Sequence, residues 1–147
     1  MKNIGISLLV IITVLISTHA NSEQSAEDII KNRKALFSKN YNTAKKVQSL
    51  SSSGDFDGAK KLMLEMSENY KTLKEMFPDN TKEGFKTEVT ALVWEEKDKF
   101  NSLMEKSSND MIELASIIEN SDNIRGSLGK LMWSNCKACH SKYRLPH

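Results

Sequence analysis

The chain has 147 residues, with 21 Lys+Arg against 19 Asp+Glu, a formal charge of +2, 39% hydrophobic and 27% charged residues. That length fits one domain able to bury a core, and the composition matches neither a disordered polyelectrolyte nor a multi-span membrane protein. A charge so near zero argues against a dedicated nucleic-acid binder, and two cysteines are too few for a disulfide framework.

The first element is a leader. Residues 4–16, IGISLLVIITVLI, follow Lys2 and run into Ser17-Thr18-His19-Ala20. A basic start, a short apolar stretch and small residues before a polar segment predict a secretory signal peptide over residues 1–20. The run falls short of the ~20 residues a bilayer span needs; an uncleaved N-terminal anchor is the alternative. Cleavage after Ala20 leaves residues 21–147 as a domain exported to an oxidising compartment, the periplasm in a Gram-negative cell.

Helical periodicity dominates the remainder. The first stripe passes through Ile29/Ile30, Leu36/Phe37, Tyr41, Ala44 and Val47, with Ser25 and Asp28 resembling a capping box. Ser51-Ser52-Ser53-Gly54 breaks it, and Asp55 is the next N-cap. A second stripe, Phe56, Ala59, Leu62/Met63, Met66, Tyr70, Leu73 and Phe77, stops at Pro78-Asp79-Asn80. A third runs from Val89 to Ile118, either unbroken or interrupted near Ser107-Ser108-Asn109. The fourth passes through Ile124, Leu128, Leu131/Met132, Asn135 and Cys139. With no sustained period-2 alternation, and neither Pro78 nor Pro146 inside a periodic run, the expected fold is all-α, an antiparallel four-helix bundle. Gly126 and Gly129 weaken the last helix by about 1 kcal/mol each, and close approach of a cofactor or a neighbouring helix would explain them.

Both cysteines stand beside a histidine in Cys136-Lys137-Ala138-Cys139-His140. This C-x-x-C-H spacing is the attachment motif for c-type haem. Positions i and i+3 share a helical face, so both sulfurs reach one edge of a porphyrin, and the adjacent His140 imidazole becomes the axial iron ligand. A thioredoxin-like dithiol belongs at the start of a helix in a strand-rich fold. A closed zinc site needs a fourth donor, for which His147 is the other histidine of residues 21–147. A Cys136–Cys139 disulfide would strain the helix. One covalent haem c is therefore the expected cofactor.

With that motif near the C-terminus, followed by Ser141-Lys142-Tyr143-Arg144, the sequence resembles the class II c-type cytochromes, the cytochrome c′ family and its low-spin relatives. Arg33-Lys34-Ala35-Leu36-Phe37 is similar to that family's first-helix segment, Met76-Phe77-Pro78 to its Phe-Pro turn, and Thr87 through Trp94 to Phe100 to the start of its third helix. Ala91 and Leu92 depart from the Pro-Glu of that last pattern, so no haem contact carries over to Leu92. The resemblance implies haem contacts at Arg33 (toward a propionate), Thr87 and Arg144, and places Phe37 at the open side of the iron.

Low-spin relatives carry a methionine at the Phe37 slot, and a phenyl ring has no donor atom. No methionine occurs between residues 21 and 62, so the expected iron is five-coordinate and high-spin. Phe37 also satisfies the core stripe of the first helix, and Arg33 and Arg144 would also serve as surface charges. Met63, Met66, Met76, Met104, Met111 and Met132 read as core filler, as do Trp94, Trp133 and Tyr143. The functional expectation is a non-enzymatic exported haem protein for electron transfer, NO or CO binding, or both. A six-coordinate carrier and a weak peroxidase are the alternatives. Partners would be a redox protein, a small diatomic ligand and, through the first two helices, a second copy of the chain.

Overall fold

The computed structural model describes residues 24–146; the predicted leader and His147 lie outside them. Helix α1, Ala26–Ser53, begins where the Ser25 hydroxyl accepts from the Asp28 N–H at 3.1 Å and donates to its carboxylate at 2.7 Å. It ends at Gly54, whose φ of 82° is the left-handed cap that glycine adopts without a Cβ penalty. Asp55 at once caps α2, Phe56–Lys74, accepting from the Gly58 N–H at 2.9 Å. So tight a connection returns α2 antiparallel to α1.

Segment 75–91 crosses the end of the bundle through a 3-10 turn, Asp79–Thr81, and is pinned where Trp94 Nε1 and Lys97 Nζ donate to the Phe77 carbonyl at 3.1 and 3.0 Å. A short α3, Leu92–Glu95, is set off from α4, Lys97–Ile117, by the non-helical backbone of Glu96. The third stripe therefore starts as a helix three residues later than Val89. Helix α4 does not break at the serines. Ser107 bonds back to the Leu103 carbonyl at 2.8 Å, and Ser108 shares a 2.8 Å hydrogen bond with Ser67 of α2, so both stay buried inside a continuous helix.

The last bundle helix is composite: α5, Ile124–Leu128, a π-helical turn, Gly129–Trp133, and α6, Ser134–Tyr143. The glycine expectation is corrected here. A Cβ on Gly129 would meet nothing within 4 Å, and one on Gly126 would meet only the Asn123 side chain that caps α5. A neighbouring helix therefore explains neither glycine.

The core gathers Met63, Met66, Met104, Met111 and Met132 with Leu73, Leu114 and Ile118, all 0–1% exposed. Trp94 and Trp133 are half-buried and pack against this core, whereas Tyr143 is buried within it. Three inward positions of α1 are polar, Arg33, Asn40 and Ser51, while Tyr41 of the expected stripe is 51% exposed. At the far end an antiparallel bridge joins Val89 to Arg144, flanked by hydrogen bonds from Leu145 to Glu88 at 2.8 Å and from Thr90 to Tyr143 at 3.0 Å. No described helix is long and apolar enough to cross a membrane.

Candidate functional site, a haem cavity

Helices α1, α2, α4 and α6 and the crossing segment leave between them a cavity of about 740 Å³, within the size range of cofactor sites. Cys136, Cys139, His140, Arg33, Phe37, Thr87 and Arg144 all line it. Residues separated by more than a hundred positions thus converge on one space.

The α6 wall carries the thiols. Cys139 is buried and Cys136 half-buried, and both are free. Burial, with Cys136 adding to it, pushes the Cys139 thiol up to about 12. Burial also raises Cys136, against an opposing hydrogen bond from Tyr70. The Tyr70 hydroxyl is itself pushed well above the ordinary phenol range, by burial first and by Cys136 second. Both sulfurs are therefore protonated at neutral pH, and as thiols they are poor nucleophiles and poor metal ligands. Among the described residues no three His, Cys, Asp or Glu side chains converge for a metal ion.

Arg33 is no surface charge. It is 1% exposed and donates to Thr81 Oγ1 at 2.8 Å, Thr81 O at 3.2 Å, Thr87 Oγ1 at 2.6 Å and Met76 O at 3.3 Å, with its guanidinium 4.7 Å from the centre of the Phe77 ring. Thr87, predicted separately, is thus a direct partner of Arg33. Burial lowers the arginine to about 10, which leaves it charged at neutral pH, and no carboxylate among the described residues pairs with it. A buried cation without a counter-charge on a cavity wall calls for an anionic occupant.

Arg144 is handled differently. Its Nη2 sits 3.1 Å from Glu88 Oε2, while Lys34 Nζ holds Glu88 Oε1 at 3.1 Å from α1. Lys34 first, and Arg144 after it, hold the Glu88 carboxyl below the usual range. This triad ties α1, the crossing segment and the C-terminal tail together beside the cavity. Phe37, one turn beyond Arg33, packs edge-on against Phe77 with ring centres 6.4 Å apart, and Phe77 continues the aromatic chain to Phe100 at 4.7 Å.

Two lining residues, Tyr70 and Met104, had no signal beyond the apolar stripes. Asn40 had none, because a polar residue on an amphipathic helix reads as surface, and Glu88, on the crossing segment, carried no role of its own. The volume, the uncompensated Arg33 and the thiol pair with its adjacent imidazole all fit haem. When bound, that group supplies a redox-active iron with an exchangeable coordination position.

A helical bundle that closes on a cavity with C-x-x-C-H on one wall and a buried cation on another defines a c-type haem protein. The chain belongs to the cytochrome c′ family: that family's model matches residues 28–144, and haem c is its covalent cofactor. It is similar to cytochrome c' of Rhodopseudomonas palustris, 28% identical over 120 residues that cover 80% of this chain and 82% of that one. The fold is that of cytochrome c' from Thermochromatium tepidum, with a TM-score of 0.73 at 16% identity over 85% of this chain and all of that one. It is equally that of a cytochrome c prime variant from Alcaligenes xylosoxidans, with a TM-score of 0.71 at 17% identity over 84% of this chain and 99% of that one.

Proposed function

We propose that this protein is an exported, non-enzymatic cytochrome that holds haem through Cys136 and Cys139, ligates its iron through His140 and leaves the opposite position open beneath Phe37. The observation that carries this reading is the cavity itself, where His140 is the only histidine among the described lining residues and α1 offers the phenyl ring of Phe37. Arg33 and Thr87 hold the propionate edge, and Arg144 stands on the tail that follows the axial histidine.

An open position above an apolar ring admits NO and CO, whereas stable O2 binding favours a hydrogen-bond donor over the iron. The Alcaligenes xylosoxidans variant is a nitric oxide complex, which supports gas binding here. Electron transfer uses the same Fe(III)/Fe(II) couple. Peroxide cleavage gains from a distal histidine as acid and base, and the described lining residues include no histidine besides His140. The apolar run at residues 4–16 supports export, and the half-exposed Leu64 on α2 supports pairing of two copies through α1 and α2.

A second reading rests on Met104, whose side chain belongs to the cavity wall as well as the core. A thioether ligand from that position would give a six-coordinate, low-spin carrier. An absorption spectrum of the reduced holoprotein, with and without NO or CO, separates the two. Broad high-spin bands that change on gas addition support the five-coordinate reading. Sharp split bands indifferent to gas overturn it in favour of Met104.

A further inference from the structure

The π-helical turn immediately before the haem-attachment residues has a structural consequence. In an α-helix the Ser134 N–H would bond the Lys130 carbonyl; here it bonds Gly129 instead, so the Lys130 carbonyl loses its usual donor. Two side chains bond back onto the turn. Ser134 Oγ donates to the Lys130 carbonyl, and Asn135 Nδ2 donates to the Leu131 carbonyl at 2.9 Å. The second proton of that same amide goes to Asp110 Oδ2 at 2.9 Å, on α4. Both groups are buried, Asn135 at 4% and Asp110 at 7% exposure, and Lys106 completes the carboxylate from its solvent side.

Asn135 thus spends both its donors in one place, closing the π turn with one and fastening it to α4 with the other. It is also the residue directly before Cys136, and it lines the cavity. A π turn rotates everything after it relative to the preceding α-helix. The orientation of α6 toward the cavity is therefore set at this point and held by a carboxylate on a different helix.

We propose that Asp110 and Asn135 are positioning residues for haem: they fix the angle at which α6 presents Cys136, Cys139 and His140 to the cavity, and so the orientation of the axial imidazole. The inference rests on the reading of His140 as that ligand. Neither residue touches iron, and each acts through the backbone of α6.

The test is resonance Raman spectroscopy of the ferrous holoprotein. An iron–histidine stretching band in the unmodified protein is the prerequisite; its absence removes the His140 reading itself, independently of Asp110. Given the band, Asn135→Leu and Asp110→Leu are expected to shift and broaden it, while Asp110→Asn, which keeps an acceptor for the Asn135 amide, retains the original position. Ser134→Ala, a mild change at an exposed residue, gives a smaller shift in the same direction and keeps the question answerable if the leucine variants do not fold. A band unmoved in Ser134→Ala and in every leucine variant that takes up haem would overturn the proposal. So would an Asp110→Asn shift as large as that of Asp110→Leu, since the charge and not the hydrogen bond would then be responsible.

Discussion

Replacing Arg33 by Met separates two roles that the buried guanidinium combines. In the haem-free protein the side chain is a buried cation whose partners are hydroxyls and carbonyls. Its fall to about 10 reports the unfavourable burial, worth roughly 2 kcal/mol once screening at the cavity mouth is allowed for. Met removes that penalty but leaves the Met76 and Thr81 carbonyls without their donor, a loss of about 2–3 kcal/mol. The two nearly cancel, so the haem-free protein, made as the Cys136→Ser/Cys139→Ser form, should change by no more than about 1 kcal/mol. On the proposed reading, the same substitution in the holoprotein would also strand the propionate that Arg33 pairs with. Breaking a buried ion pair from one side costs about 3–5 kcal/mol.

The expected signature is a difference between the two forms. Arg33→Met should lower the melting temperature of the holoprotein by about 10 °C or more, and that of the haem-free form by only a few degrees. Thermal unfolding followed by far-ultraviolet circular dichroism at neutral pH measures both. Arg33→Lys, which keeps the charge but not the planar fork, should fall between them. An equal loss in both forms would refute the counter-charge role and leave Arg33 as a tie between α1 and the crossing segment.

If Phe37 faces an open iron position as proposed, Phe37→Met places a thioether there; the reduced spectrum should turn low-spin and CO recombination should slow by at least about tenfold, a barrier change near 1.4 kcal/mol. Gly129→Ala should raise stability by about 0.5–1 kcal/mol, because its Cβ enters open space, whereas Gly54→Ala, at a φ of +82°, should lower it; paired denaturant melts compare them. Glu88 has its carboxyl held low by Lys34 and Arg144, so the stability it contributes is present above the unfolded carboxylate pKa and lost as pH falls through the lower folded value. Glu88→Gln should remove that part of the acid limb, a few tenths of a kcal/mol at so exposed a pair, in melts taken from pH 6 to 3.

Which parts were legible in sequence follows from the kind of signal each one leaves. The helix ends announced themselves through Ser25, Gly54 and Asp55, since caps are chemistry confined to three or four neighbouring residues. The attachment motif was legible for the same reason. The π turn was not, because it has no composition of its own; of the side chains bonded to it, Ser134 read as an ordinary polar position and Asn135 as one more member of the fourth stripe. The unbroken course of α4 through Ser107 and Ser108 depended on Ser67, a residue of another helix 41 positions earlier.

Helix α1 shows where periodicity and function part. A stripe built only to fill a core would be apolar at each inward position, yet Arg33 and Asn40 occupy two of them, 1% and 3% exposed. Both line the cavity. Asn40 is oriented by Asn69 of α2 at 2.8 Å, and its own Nδ2 lacks a protein partner. Buried polar groups lower stability when unpaired, and Arg33 and Asn40 sit where α1 borders the cavity as well as its protein partners. The stripe returns to apolar residues at Ala44 and Val47, where the wall of the cavity gives way to the packed core. Polar substitutions inside an otherwise regular apolar period are thus a trace, in sequence, of a helix that faces a cofactor for two turns and its neighbours for the rest.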